Sequence, residues 1–550
     1  MIPQLLFRVG WIVSIILLCC WAVWLIVDRC SQQKAFSAGH ASPPRLPLSP
    51  ASTLLISVVL FVGAFASRYW LSRFMFGPWY FADEAFDSCI MPYQLSRSEA
   101  IWGGGTNYLT YLIYLAAYRL FGFGVGVARA VNSGLFAGSA VIVFWALHGA
   151  FGARVSGVVL GMMLLSSSFI THSIYATAIT FSFLPSSIIL FILTKPLTDR
   201  SAALLGITLN ASLYLFPAAF LTGVCLVFFH AVVFYRDYWT WRTRLIGLIA
   251  CVLSGGLGYQ MRLTLTGNPH WNQWAGGFLS FDQAIPSILV VLKDVFWESR
   301  SWNTLNLGMP YLDTAMAGFL MIGVGASLIP SKSCPPTRER RWVLISLLSF
   351  FGSVALSALA GAYPGVRRIF PSMLLLFFVA GLGLEQFWRR AMLRPALASA
   401  VIVCFGLVAT RSYVVARESW PLSGQSDFMV AARETLLHRG NGRQEVVIIA
   451  YDSDQYLAQH YRCALSLDDT LNGRFHSVGV IRRAGLSQRP DLPTHFILFA
   501  NELFSDRQLE DMFGSRPHSS TIRRPVTSPR PGVLAAIYEF SEDPLPQQKR

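Results

Sequence analysis

Long apolar runs alternate with short polar connections through the first 416 residues of the chain. Most of these runs are long enough to cross about 30 Å of hydrocarbon as an α-helix. They cover residues 5–27, 51–71, 127–148, 155–170, 177–193, 202–216, 218–235, 245–261, 314–330, 342–362, 369–387 and 395–415. The pattern therefore predicts an α-helical polytopic membrane protein with about twelve transmembrane helices.

Two polar connections, residues 72–126 and 262–313, are too long to be simple turns, and loops of this size usually carry function. Within the first loop, residues 107–121 (NYLTYLIYLAAYRLF) are apolar and aromatic. We interpret them as a helix on the membrane surface, because counting them as a span would invert every basic loop that follows. Residues 1–50 are predicted to form an extra N-terminal transmembrane helix and a cytoplasmic linker, and residues 51–416 the main membrane domain.

The C-terminal part, residues 417–550, has a different pattern. Short apolar runs at residues 445–450, 495–500 and 533–540 are typical of strands, and residues 454–461 and 506–513 are typical of helices. This alternation predicts a small α/β domain. It contains neither a GxGxxG nor a P-loop pattern, so we expect no nucleotide site there.

Composition and charge support the membrane assignment. The chain is 54% hydrophobic and only 13% charged, whereas a soluble domain carries about a quarter charged residues. The formal net charge is +15. Alternate connections hold 16 basic and five acidic residues, so they are predicted to face the cytoplasm. The excess of basic residues is thus mostly explained by the membrane topology, and it does not indicate a nucleic-acid partner.

This orientation predicts a multi-pass protein of the cytoplasmic membrane, with both long loops and the C-terminal domain outside the cytoplasm. The nine cysteines are dispersed and show no metal-ligand spacing. We therefore expect neither structural disulfides nor a zinc site.

A compact acidic cluster follows the span at residues 51–71. It comprises Asp83, Glu84 and Asp87 in the sequence YFADEAFD. Two adjacent carboxylates at a membrane surface can act as a general base for an incoming hydroxyl or amine. They can also bind a divalent cation, in which case Asp83 and Glu84 are the metal ligands. The alternative is the first turn of a helix, where acidic residues are common.

A pair of arginines, Arg367 and Arg368, lies in a short external turn before the span at residues 369–387. Paired guanidinium groups at the headgroup level suit a lipid phosphate or pyrophosphate. Interfacial anchoring is the alternative, but positive charge is disfavoured on this side of the membrane, which favours the phosphate interpretation. Two secondary candidates are His172, near the outer end of its span, and Trp271, in the second loop. A histidine accommodated in a helix bundle and a tryptophan in an interfacial belt are the simpler interpretations of these two residues.

The order of these features resembles a known family. An outward span is followed by FADEAFDS, by the segment NYLTYLIYLAAYRLFG, and by ARAVNSGLFAGSAVIVFWAL and GARVSGVVLGMMLLSSS. RRIFPSMLLLFFVAGLGLEQFW and EVVIIAYDSDQYLAQHY occur later. These segments resemble the GT-C class of membrane glycosyltransferases, particularly bacterial relatives of protein O-mannosyltransferases and of the aminoarabinose transferase that modifies lipid A.

The resemblance implies a GT-C-like membrane domain and the transfer, with inversion, of a sugar from a polyprenyl-phosphate carrier to an acceptor outside the cytoplasm. It implies that Asp83 activates the acceptor and that Glu84 supports it. It also implies that Arg129 and either Arg367 or Arg368 bind the substrate, the latter near the donor phosphate. The partners would be the lipid-linked donor, an unknown acceptor and membrane lipids; no cofactor is implied beyond a divalent cation.

Two alternatives stay open. A transporter or flippase is compatible with about twelve spans, but the two halves show no internal similarity and the spans carry no central carboxylate. A catalytically lapsed family member that acts in envelope assembly is compatible with residues 173–181 (SIYATAITF), which lack the arginine and acidic residue common in the family.

Overall fold

The chain was analysed as a computed structural model. The structure describes residues 49–74, 88, 91–92, 107–122, 124–235, 238–255, 281–297, 311–312, 314–328, 338–359, 366–390, 394–414, 445–451, 475–482, 496–500, 505–513, 518–523 and 535–540. The predicted first span, residues 5–27, and the predicted helix at residues 454–461 lie outside these ranges.

The regular secondary structure of the described membrane part is helical. Its helices are α1 (Pro50–Phe74), α2 (Tyr108–Phe121), α3 (Val125–Phe151), α4 (Ala153–Leu165), α5 (Ser167–Ile174), α6 (Ala178–Phe181), α7 (Phe183–Leu193), α8 (Asp199–Leu215), α9 (Pro217–Val233), α10 (Trp241–Leu253), α11 (Phe281–Phe296), α12 (Thr314–Leu328), α13 (Arg338–Leu359), α14 (Val366–Ile369), α15 (Met373–Arg390) and α16 (Arg394–Val414).

These helices make the chain an integral membrane protein. Within the described ranges, α1, α3 and α13 are each long and apolar enough to cross a bilayer, and the bent pair α4 and α5 together passes the same test. Several shorter apolar helices accompany them. The described helices do not establish the number of spans, so the count of about twelve stays a prediction.

The span predicted at residues 155–170 is not a single straight helix. The helix divides at Ser166, which is extended with φ −62° and ψ 131°, and α4 and α5 meet at a bend of 64°. Successive serines at residues 166–168 favour such a break, because their hydroxyls can replace main-chain hydrogen bonds. The division predicted at Pro217 is confirmed, since α9 begins there with proline in its first turn.

Helix α15 lies at the centre of the helical bundle. Its residues from Met373 to Glu385 are buried, and it packs against α4, α12 and α13. The contact with α12 is close: a Cβ atom on Gly383 would lie 1.8 Å from the Cα atom of Gly323. Small residues let two membrane helices approach in this way.

The C-terminal part contains one mixed sheet. Its strands are β1 (Glu445–Tyr451), β2 (Phe475–Arg482), β3 (Phe496–Ala500), β4 (His518–Arg523) and β5 (Ala535–Phe540), in the order β2-β1-β3-β5-β4. Strands β1, β2 and β3 are parallel to one another, and β5 is antiparallel to β3 and β4. The three predicted strands and the predicted helix α17 (Asp506–Phe513) are confirmed.

Candidate functional site

The candidate site lies where α1 ends, α2 passes and α3 begins. Between α1 and Ser88 the chain runs through residues 75–87, called the acidic segment below because it contains Asp83, Glu84 and Asp87. The acidic segment is outside the described residues. The residues that flank it, Ser72 and Ser88, are both fully buried.

Arg129, near the start of α3, binds Ser72, on the N-terminal side of the acidic segment. Only 3% of its surface is exposed, and its Nη1 donates a 2.9 Å hydrogen bond to the carbonyl oxygen of Ser72. Its guanidinium carbon lies 6.0 Å from the ring centre of Tyr175. Because Ser72 is in the last turn of α1, its carbonyl has no partner within the helix, and Arg129 supplies one.

Tyr118, on α2, binds Ser88, on the C-terminal side of the acidic segment. Its hydroxyl donates a 2.5 Å hydrogen bond to the carbonyl oxygen of Ser88, and its side chain is buried. Thr110, two turns earlier on the same helix, donates through Oγ1 to the carbonyl oxygen of Leu215 at the end of α8. Helix α2 is thus hydrogen-bonded both to Ser88, which follows the acidic segment, and to the end of α8.

Asn132, one turn after Arg129 on α3, joins two more elements. Its Oδ1 accepts a 2.6 Å hydrogen bond from the hydroxyl of Tyr114 on α2. Its Nδ2 donates to the carbonyl oxygens of Tyr175 and Thr177, at 2.6 and 3.1 Å. Both amide hydrogens and the amide oxygen therefore have partners, which fixes the orientation of this fully buried side chain.

Arg68, one turn before Ser72 on α1, stabilises the break between α4 and α5. It is 2% exposed, and its Nη2 donates to the carbonyl oxygens of Met163 and Leu164 at 3.1 and 2.7 Å. Its guanidinium carbon lies 4.7 Å from the ring centre of Phe136 on α3. The guanidinium thus replaces the hydrogen bonds that the end of α4 loses at the bend.

His172, on α5, packs against aromatic rings. Its ring centre is 4.2 Å from that of Phe370 and 5.9 Å from that of Tyr311. Arg368 precedes Phe370 by two residues and is half-buried, and burial lowers the pKa of its guanidinium below the usual value. The His172 ring thus packs against Phe370, which follows Arg368 by two residues.

The sequence-predicted site residues divide into two groups. Arg129, His172, Arg367 and Arg368 lie in described helices, and His172 contacts Phe370, which follows Arg368 by two residues. Asp83, Glu84, Asp87 and Trp271 lie outside the described ranges, so their predicted roles stay predictions. Among the residues that the structure describes, no group of three or more His, Cys, Asp or Glu side chains could hold a metal ion.

Sequence analysis missed four residues of this region: Arg68, Tyr114, Tyr118 and Asn132. Arg68 and Asn132 interrupt apolar runs with a charge and an amide, which is a signal of function or of a buried contact in a membrane helix. The two tyrosines are four residues apart, so they share one face of α2. Only the folded chain shows which carbonyl groups these side chains reach.

The fold is that of a known class of membrane protein. The chain is similar to ArnT of Cupriavidus metallidurans bound to undecaprenyl phosphate, with a TM-score of 0.54 and 14% identity over 88% of this chain and 97% of ArnT. Similarity to apo ArnT gives a TM-score of 0.51 and 13% identity over 88% and 98%. The oligosaccharyltransferase of Archaeoglobus fulgidus in its apo form gives 0.42 and 14% over 78% and 64%.

ArnT is an aminoarabinose transferase of the GT-C class. The sequence resemblance to that class is thus confirmed at the level of the fold. No protein-family model matches the chain, and no curated protein matches its sequence.

Proposed function

We propose that the protein is an inverting glycosyltransferase that moves a sugar from a polyprenyl-phosphate carrier to an acceptor at the outer face of the cytoplasmic membrane. The observation that carries this proposal is the fold shared with ArnT, which is bound to undecaprenyl phosphate in its crystal structure and is covered over 97% of its length. A shared fold alone does not define a reaction. Arg129 near the start of α3, bonded to Ser72 before the acidic segment, and Arg368 in α14 supply the second support.

In the proposed reaction, a hydroxyl or amine of the acceptor attacks the anomeric carbon of the donor sugar. The bond between that carbon and the phosphate oxygen breaks, and the polyprenyl phosphate leaves with the electron pair. Asp83 accepts the proton of the acceptor, and Glu84 orients Asp83 or a divalent cation. Attack from the face opposite the leaving group inverts the anomeric configuration.

The arginine pair Arg367 and Arg368 is proposed to bind the carrier phosphate. Charge-assisted hydrogen bonds from a guanidinium become stronger as negative charge develops on the departing phosphate. Arg368 lies in the helical turn directly before Phe370, whose ring packs against those of His172 and Phe169. The packing of Phe370 restrains the chain next to Arg368, before the start of α15, and well-positioned donors are the ones that assist catalysis most.

Mass spectrometry of cell-envelope glycans and lipids, with and without the gene, tests the proposal. We expect one sugar modification to disappear on deletion and to return with the wild-type gene but not with Asp83→Asn. Restoration by both genes would show that Asp83 is not the base. An unchanged envelope, together with carrier flipping by the purified protein, would instead support a transporter.

A further inference from the structure

Ser72 and Ser88, which lie on either side of the acidic segment, each accept a hydrogen bond from a buried side chain of a different helix. Arg129 of α3 binds the carbonyl of Ser72, and Tyr118 of α2 binds the carbonyl of Ser88. The stretch of chain between these two bonds contains every carboxylate that sequence analysis assigned to the site. Because the proposed base lies in a segment that the sequence predicts to be a loop, we expect its position to depend on the contacts of the residues on either side.

We propose that Tyr118, Tyr114 and Asn132 form a positioning network for the acidic segment, with Asn132 linking it to the donor side of the site. This inference rests on the proposed function, because positioning matters only if the segment carries the base. None of the three residues is assigned to contact substrate, and each acts through a main-chain or side-chain hydrogen bond.

The link through Asn132 runs between the two sides of the site. Its amide oxygen binds Tyr114, which lies one helical turn before Tyr118 on α2, and the two tyrosine rings stack with centres 6.4 Å apart. Its amide nitrogen binds residues 175 and 177, the non-helical residues that follow α5. Helix α5 carries His172, which contacts Phe370 beside the arginine pair.

The network is also isolated from water. Tyr114 and Asn132 are fully buried, and Tyr118 is 5% exposed. A buried hydrogen bond is not readily replaced by water when its donor is removed, so loss of the Tyr118 hydroxyl costs Ser88 one buried hydrogen bond. Removal of the Tyr118 hydroxyl should therefore weaken the attachment of Ser88 to α2 while the ring keeps its packing.

Tyr118→Phe and Tyr114→Phe are the test variants, since each removes one oxygen atom. Tyr238→Phe is the matched control: the Tyr238 ring packs against His230 and Phe234, and its hydroxyl makes no hydrogen bond to any residue that the structure describes. Asn132→Asp is a further variant, because it retains an acceptor for Tyr114 while losing the donors to residues 175 and 177.

The first measurement is hydrogen–deuterium exchange of the full-length protein in lipid nanodiscs. In Tyr118→Phe we expect amides of residues 75–90 to exchange about tenfold faster, the ratio that corresponds to loss of one buried hydrogen bond. Tyr238→Phe should match the wild type. Exchange in Tyr118→Phe equal to that of the wild type would overturn the proposal.

The second measurement is turnover of an undecaprenyl-phosphate-linked sugar, chosen as the one that the wild type consumes from a panel of hexose and pentose derivatives. A misplaced base should lower kcat about ten- to a hundredfold in Tyr118→Phe and Asn132→Asp, with the donor KM within about twofold of wild type. Equal loss in Tyr238→Phe, or a loss confined to KM, would contradict a positioning role.

The two measurements separate this inference from the proposed function. The exchange measurement requires no substrate. If Tyr118→Phe exchanges faster but neither the wild type nor any variant consumes a lipid-linked sugar, the positioning network is retained and the proposed reaction is rejected. Normal turnover in Asp83→Asn would also reject the base. Unchanged exchange with Asp83-dependent turnover would reject the network alone.

Discussion

Nη2 of Arg68 lies 2.7 Å from the carbonyl oxygen of Leu164, the penultimate residue of α4. A helix that ends inside a membrane protein leaves carbonyl oxygens and a partial negative charge without compensation. The guanidinium supplies both hydrogen-bond donors and positive charge at that point. The break that precedes α5, and with it the position of His172, thus depends on a side chain from α1.

Arg68→Gln should destabilise the protein by about 1–3 kcal/mol, because buried carbonyl groups lose a charged donor. The thermal unfolding of the variant in nanodiscs measures this loss. Arg242→Gln is the control: Arg242 pairs with Asp199, and the two side chains are 70% and 40% exposed, so the expected change is about 0.5 kcal/mol or less. Similar shifts in both variants would show that Arg68 has no special structural role.

Gly383→Ala should separate α12 from α15. The added methyl group would lie 1.8 Å from Gly323 Cα, and main-chain atoms cannot move aside as a flexible side chain can. We expect a loss of about 1–3 kcal/mol in stability. Gly325→Ala, on the same helix as Gly323, is the control because its Cβ would meet no described atom within 4 Å. An unfolding temperature of Gly383→Ala at or above that of Gly325→Ala would contradict the close contact.

The ion pair between Arg154 and Glu385 ties the start of α4 to α15. Nη1 of Arg154 lies 3.1 and 3.0 Å from the two carboxylate oxygens, and the side chains are 58% and 10% exposed. A double-mutant cycle with Arg154→Met and Glu385→Gln should give a coupling of about 0.2–1 kcal/mol that decreases with added salt. Coupling near zero at low salt would show that the contact does not contribute.

The hydrophobic pattern was sufficient to predict most of the helices and three of the strands. Apolar runs bounded by charge predict α1, α3 and α13 well, since the lipid requirement for continuous apolar surface dominates there. The apolar run at residues 155–170 gave no sign of the break at Ser166, because hydropathy does not detect a break that buried serines and Arg68 stabilise. Helix α11, in the second long loop, was not predicted at all, nor were β2 and β4.

The missed strands have physical explanations. Strand β2 (FHSVGVIR) contains Gly479 and polar residues, and β4 (HSSTIR) is largely polar. Both are at the edges of the sheet, where one side of each strand needs no apolar partner. In the candidate site, residue chemistry pointed to the arginine pair and the family resemblance to Arg129, whereas the network at Asn132 depends on carbonyl positions that only the folded chain provides.

Arg368→Gln should weaken the donor side of the proposed site. Loss of the guanidinium should lower kcat/KM for the lipid-linked sugar about 10²- to 10³-fold, because a charged donor near the departing phosphate is removed. Arg368→Lys should retain part of the activity, since it keeps the charge but not the planar fork. Kinetics of the purified variants check this, and wild-type kcat/KM in Arg368→Gln would remove Arg368 from the site.

The proposed reaction itself is tested most directly by the release of undecaprenyl phosphate from a lipid-linked sugar, measured for wild type and Asp83→Asn in the presence of acceptor lipid extract. We predict a fall of about 10²- to 10⁴-fold in Asp83→Asn, with unchanged thermal unfolding and with normal release by Asp199→Asn, which alters only the exposed pair with Arg242. Release by Asp83→Asn at the wild-type rate would contradict the account.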